Sequence, residues 1–134
     1  MTNQKKSKSL HISLWVVQVL LATLFGYVGL MKVFTPESEL LEGEMSSVVN
    51  FVGISMTRFI GISELLGAFG LILPAALRIK PILTPIAASG IAIVMMLATA
   101  YHLYVSEPPV TIILFLLAAF VAWGRFRKVP IEPK

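Results

Sequence analysis

Four stretches of this chain are almost pure hydrocarbon, and they decide what it can fold into. They are Ile12–Phe34, Arg58–Leu77, Ile82–Tyr104 and Val110–Gly124, and the segments between and beyond them hold most of the charge. Each of the first three is roughly 20 residues long, enough for an α-helix to cross a hydrocarbon core about 30 Å thick. The fourth is shorter. It is expected to begin near Pro108 or Pro109 and to borrow the stem of Arg125, snorkelling, at its far end. None of the four alternates polar with apolar residues as a membrane β-barrel requires. Of the 134 residues, 57% are hydrophobic and 13% charged, against roughly 25% charged in a soluble domain. Lipid must therefore solvate much of the surface. The expected fold is an all-α membrane protein, a bundle of four transmembrane helices with spans at about 12–34, 58–77, 82–104 and 109–124.

Charge sorts by side along this frame. Lys5, Lys6 and Lys8 precede the first run, Arg78 and Lys80 lie in the tight connection "LRIKP", and Arg125, Arg127, Lys128 and Lys134 follow the fourth. With four crossings, those nine of the eleven basic residues fall on one side, and Glu37, Glu39, Glu42, Glu44 and Glu107 on the other. By the positive-inside rule both termini are expected in the cytoplasm. The organisation is then a basic tail over 1–11, a transmembrane domain over 12–124 and a second basic tail over 125–134. Trp15 and Trp123 belong at the cytoplasmic interface, and His11 is expected to be solvated in its tail. The first run exceeds the 7–15 residues of a signal-peptide core and no A-x-A site follows, so it reads as an uncleaved span.

The connection 35–57 is the one sizeable loop. Thr35 before Pro36 reads as an N-cap and first helical position, with Glu37 and Glu39 in the first turn. Leu41, Met45, Val48 and Val52 recur at helical spacing, which fits a surface-lying helix, although Gly43 interrupts it. A solvated connector with one helical turn fits as well. Pro74, Pro81 and Pro85 bracket the cytoplasmic turn, where the helices are expected to end and restart.

Helices in lipid associate through close packing and polar contacts, so small and polar residues mark the seams. Gln18, Ala22, Phe25, Gly29 and Lys32 form one stripe on the first span. Gly61, Glu64, Gly67 and Ala68 form one on the second, and Ala88, Ala92, Met95, Thr99 and His102 one on the third. A charge in hydrocarbon costs at least about 2.5–3.5 kcal/mol, so Glu64 needs a partner. Lys32 is the natural one. Arg58 matches less well, because six residues turn it about 120° around its own helix. Two readings follow for Lys32, Arg58, Glu64, Thr99 and His102. They pin the register of the bundle, or they line a pocket in its outer half. His102, beside Tyr101 and Tyr104, also reads as an interfacial anchor.

Other chemistry finds no footing. There is no cysteine, which removes disulfides, thiolate nucleophiles and sulfur-ligated metals together. Glu64 and His102 would give a metal one ligand each, with no further ligand at a suitable spacing. Phosphate loops, nucleophile elbows and a basic nucleic-acid face are all missing. The residues offer no catalytic or metal site and no evident cofactor ligand.

The stretch "QVLLATLFGYVGLMKVF", the block Arg58–His102 and "FLLAAFVAWGRF" together resemble the DoxX-like family of four-helix membrane proteins. The resemblance runs from Trp15 to Phe126. It is most specific in Gly61-x-x-Glu64-x-x-Gly67, the proline-bounded turn and His102, with Gly29–Lys32 in the first span. It implies that Lys32, Glu64 and His102, with Arg58 beside them, are the family's polar positions. Similar proteins are linked to a thiosulfate:quinone oxidoreductase, to oxidative-stress assemblies and, among distant relatives, to chaperoning of membrane proteins. The expected role is a non-catalytic accessory subunit whose polar site recognises a lipophilic small molecule or a partner membrane protein. The alternative is a quinone-reactive subunit of an oxidoreductase. The glycine-rich faces also suit a homodimer.

Overall fold

A computed structural model describes residues 2–134, with side chains from Ser7 onward. Helix α1 spans Thr2–Phe34, α4 Ile54–Leu77, α5 Leu83–Tyr104 and α6 Thr111–Trp123. These four close into a ring in which α1 packs on α4, α4 on α5, α5 on α6, and α6 returns to α1. Two short helices, α2 (Glu37–Glu42) and α3 (Ser46–Val52), fill the connection between α1 and α4. Among the described residues there is no strand. Three segments are long and apolar enough to cross a membrane: Ser7–Phe34, Ile54–Leu77 and Leu83–Tyr104. Helix α6 has 13 residues, roughly 20 Å of helix, and a π-helical turn over Gly124–Lys128 prolongs it. The backbone of Lys5 and Lys6 continues α1; their side chains lie outside the described ones.

The seams follow the small and polar stripes. Gln18, Phe25 and Gly29 of α1, Gly61, Glu64, Gly67 and Ala68 of α4, and Ala88, Ala92 and Met95 of α5 are all buried. Leucine and phenylalanine on the opposite faces, such as Leu20, Leu66 and Phe69, are exposed, as lipid-facing positions should be. Glycine is required where α1 meets α4. A Cβ on Gly61 would lie 2.6 Å from the Cβ of Lys32, and one on Gly29 would lie 2.9 Å from the Gly61 carbonyl oxygen. Gly67 and Gly70 are similarly pressed against Ile91 and Ala87 of α5. Gly29, Gly61, Gly67 and Gly70 are therefore taken up by contacts within the chain.

Three local expectations need correcting. Pro74 does not end α4, which continues to Leu77. A proline there removes the N–H that would bond Gly70 O, and Thr84 Oγ1 of α5 donates to that carbonyl instead, at 3.0 Å. Leu71 O beside it accepts from Gln18 Nε2 of α1 at 2.6 Å. Both carbonyls thus accept from neighbouring helices, and the one that Pro74 leaves free is satisfied, which lets the helix pass its proline. Pro85 likewise lies inside the first turn of α5. In the loop, the residue preceding α2 is Pro36, not Thr35, and no side chain caps the helix. Gly43 ends α2, so no continuous Leu41–Val52 stripe forms; Leu40 and Val49 are the residues that turn inward. Gly53, at φ 92°, then turns the chain from α3 into α4, a backbone region open to glycine at little cost.

Candidate functional site

Lys32 and Glu64 meet across the α1–α4 seam, with Nζ 2.8 Å from Oε1. The lysine side chain is 17% exposed and the glutamate 3%. Helical phase places them there: both stand on the small-residue stripes, and Gly61 lets the backbones approach closely enough for Lys32 to fold over it. The second oxygen of Glu64, Oε2, is buried with no hydrogen-bond partner. A carboxylate can accept about four hydrogen bonds, so this one has unused capacity in a place where unused capacity is costly.

Beside this pair lies a cavity of about 610 Å³, between α1, α4 and α5, with residues of α3 and of the start of α6 also in its wall. Its walls are mostly apolar, with Phe25, Val28, Val94, Met95 and Leu114 among them. Lys32, Glu64 and His102 all line it. A smaller cavity of about 360 Å³, between α4 and α5, shares Phe25, Ser63, Glu64 and Val94 with it. Glu64 thus borders two spaces at once. Phe51 of α3 covers the larger one, its ring 5.0 Å from that of Tyr101 and 5.9 Å from that of Tyr104.

The remaining predicted residues take other places. Arg58 Nη1 donates to Lys32 O, Val33 O and Thr35 O at 3.0, 2.9 and 2.6 Å. It satisfies two carbonyls of the last turn of α1 and that of Thr35 just beyond, and sets a positive charge at that helix's negative end, so it is a cap and not a partner of Glu64. His102 bonds Glu107 through Nδ1 at 3.0 Å, and Tyr101 meets its ring edge-on at 5.5 Å. Its hydrogen bond is made to the loop before α6. Thr99 Oγ1 lies 2.7 Å from Thr111 Oγ1 and donates to Met95 O at 2.8 Å. It ties α5 to α6, and Thr111 reaches the cavity in its stead.

A second polar centre, at the opposite end of the bundle, escaped the sequence reading. Arg125 does not snorkel. It is 2% exposed, with Nε donating to Gln18 Oε1 at 2.7 Å and Nη1 to Val129 O at 2.9 Å. His11, expected in solvent, stands with Nδ1 3.0 Å from Nη1, and Trp15 lies under the guanidinium at 5.7 Å. Since Gln18 also holds Leu71 O, one chain of bonds links the end of α6, α1 and the proline bend of α4. Gly124 makes room for it: a Cβ there would strike Leu14 at 2.6 Å. The one available signal was Gln18, a lone amide in an apolar run that demands a partner. Among the described residues, no three of His, Asp and Glu gather as metal ligands would.

An apolar ring of helices, glycine-sealed and closed around a buried ion pair, defines a polytopic helical membrane protein. Its kinship is given by the sequence: residues 16–124 match the DoxX-like family, and the chain belongs to it. No curated protein and no solved structure matches it.

Proposed function

We propose that this protein is a non-catalytic binding subunit of the inner membrane, crossing it four times with both termini in the cytoplasm, and that it holds a lipophilic small molecule in the cavity beside Lys32 and Glu64. The observation that carries this reading is the cavity itself: about 610 Å³, apolar, with Lys32, Glu64 and His102 on its wall. Small-molecule sites are of this size and kind, mostly apolar with a few placed polar groups. A partner's transmembrane helix, about 10 Å across, suits a space of about 610 Å³ less well. Lys32 and Glu64 are engaged with each other and His102 with Glu107, which supports binding in preference to catalysis.

The second reading, a quinone-reactive subunit, draws on Glu64 and His102 bordering one cavity. A quinone carbonyl could accept from Lys32, but Glu64 Oε2 is itself an acceptor and would find its match only in the reduced, hydroxyl-bearing form.

Lipid extraction of the purified protein followed by mass spectrometry tests both. The expected result is a small lipophile at near-stoichiometric amount, depleted when Val28→Trp narrows the cavity. An identical extract from the variant would place binding elsewhere. A quinone in the extract, with oxidation of dithionite-reduced quinone by the protein, would favour the second reading.

A further inference from the structure

We propose that the cavity selects uncharged lipophiles bearing a hydroxyl group, alcohols or phenols, and seats that hydroxyl between Lys32 and Glu64; this rests on the reading of the cavity as a ligand site. The two oxygens of Glu64 are unequally satisfied. Glu64 is 3% exposed, its Oε1 accepts from Lys32 at 2.8 Å, and its Oε2 is buried with no partner at all. A buried carboxylate oxygen without a donor is the costliest kind of unmade hydrogen bond. The glutamate itself lines both cavities, and a turn of its carboxylate would bring Oε2 to a donor in either. Lys32 Nζ, for its part, has three N–H groups, of which Glu64 takes one.

A ligand head is therefore asked to donate to Glu64 and accept from Lys32 at adjacent positions. A hydroxyl is the smallest uncharged group that does both. A carboxylate or phosphate head would compete with Glu64 for the lysine and set two anions together without water to screen them. An ammonium head would face Lys32 with the same difficulty. An ether, ester or ketone can accept from Lys32 but leaves Oε2 as it was. Beyond the head, the wall is hydrocarbon and aromatic, with Phe25, Val28 and Met95 nearest in chemistry to an alkyl or aryl body.

The test uses the unaltered full-length chain, so the folding of a Glu64 variant does not enter. Native mass spectrometry from detergent micelles would compare 4-octylphenol, its methyl ether 4-octylanisole, and 4-octylbenzoate at matched free concentrations. The expected result is a one-to-one adduct with the phenol, half-saturated at about tenfold lower concentration than with either analogue, the step one charge-assisted hydrogen bond provides. Val28→Trp, which narrows the cavity and leaves both members of the ion pair in the chain, should abolish it. Equal binding of phenol and ether, both lost in Val28→Trp, would overturn the hydroxyl inference and leave the cavity reading standing. Preference for the benzoate would overturn it too, marking Lys32 as an anion site. Adducts of all three that persist in Val28→Trp, or no adduct with any, would remove the cavity reading and this inference with it.

Discussion

Lys32 and Glu64 are 32 positions apart in the chain, yet their meeting could be read in advance, because each lies on a short-range helical stripe that names its inward face. Arg125 could not. Its partners Gln18 and His11 are 107 and 114 positions away, and an arginine closing an apolar run ordinarily stretches toward water. Only the π-helical turn at Gly124–Lys128, which no residue pattern announces, swings it inward. The Lys32–Glu64 pair makes its own prediction. Removing one member of a buried pair leaves an uncompensated charge and costs about 3–5 kcal/mol, whereas removing both is far milder. Lys32→Met alone should thus be strongly destabilising, and Lys32→Met with Glu64→Gln should recover most of the loss. Reversible unfolding in mixed micelles of the two single variants and the double variant measures this. Additive losses would mean that the two groups do not depend on each other.

Elements show the same division between near and far signals. The helices, their approximate ends and their inward faces follow from hydropathy and spacing. The proline bend does not, since its outcome depends on a donor from another helix. Pro74 removes one N–H, and Thr84, fully buried, answers for it at Gly70 O. Thr84→Val should cost about 1 kcal/mol, in line with one interhelical hydrogen bond in a membrane. In a Pro74→Ala background the N–H returns, α4 satisfies its own carbonyl, and the same Thr84→Val change should be close to neutral. A double-mutant cycle in thermal unfolding reads the coupling directly; an equal cost in both backgrounds would detach Thr84 from the bend. The glycines separate just as cleanly. Gly61→Ala forces a methyl to 2.6 Å from Lys32 Cβ and should cost about 1–3 kcal/mol by overpacking. Gly90 has nothing within 4 Å of an added Cβ, so Gly90→Ala should be tolerated, although both sit inside long helices. Spacing had already put Gly61 on a seam stripe and left Gly90 off one; the packed neighbours give the reason.

For the whole molecule, the ring of helices turns a linear charge pattern into a polar axis. Arg125 beside His11 joins the end of α6 to the start of α1, and the bond from Lys134 N to Arg78 O brings the C-terminus to the α4–α5 turn. Lys8, Arg78, Lys80, Arg125, Arg127, Lys128 and Lys134 consequently gather at one end. Glu37, Glu39, Glu42, Glu44 and Glu107 lie at the other, together with the Lys32–Glu64 site and its cavity. Two cations break the pattern, and both are held by the protein: Lys32 by Glu64, Arg58 by the carbonyls of α1. The free basic charge is therefore more one-sided than a count suggests, and the positive-inside rule acts on such free charge near span ends. This predicts that the cavity opens toward the outer half of the membrane. The chain has no cysteine, so single cysteines report position without background. In intact spheroplasts, a membrane-impermeant maleimide should label Glu44→Cys and leave Ser9→Cys and Lys134→Cys untouched until the membrane is permeabilised. Like behaviour of Ser9→Cys and Lys134→Cys is required by an even number of crossings, which brings the 13-residue α6 under test as well. Were Lys134→Cys labelled with Glu44→Cys, α6 would not cross and the chain would have three spans; were the whole pattern inverted, the cavity would face the cytoplasm and its ligand would come from that leaflet.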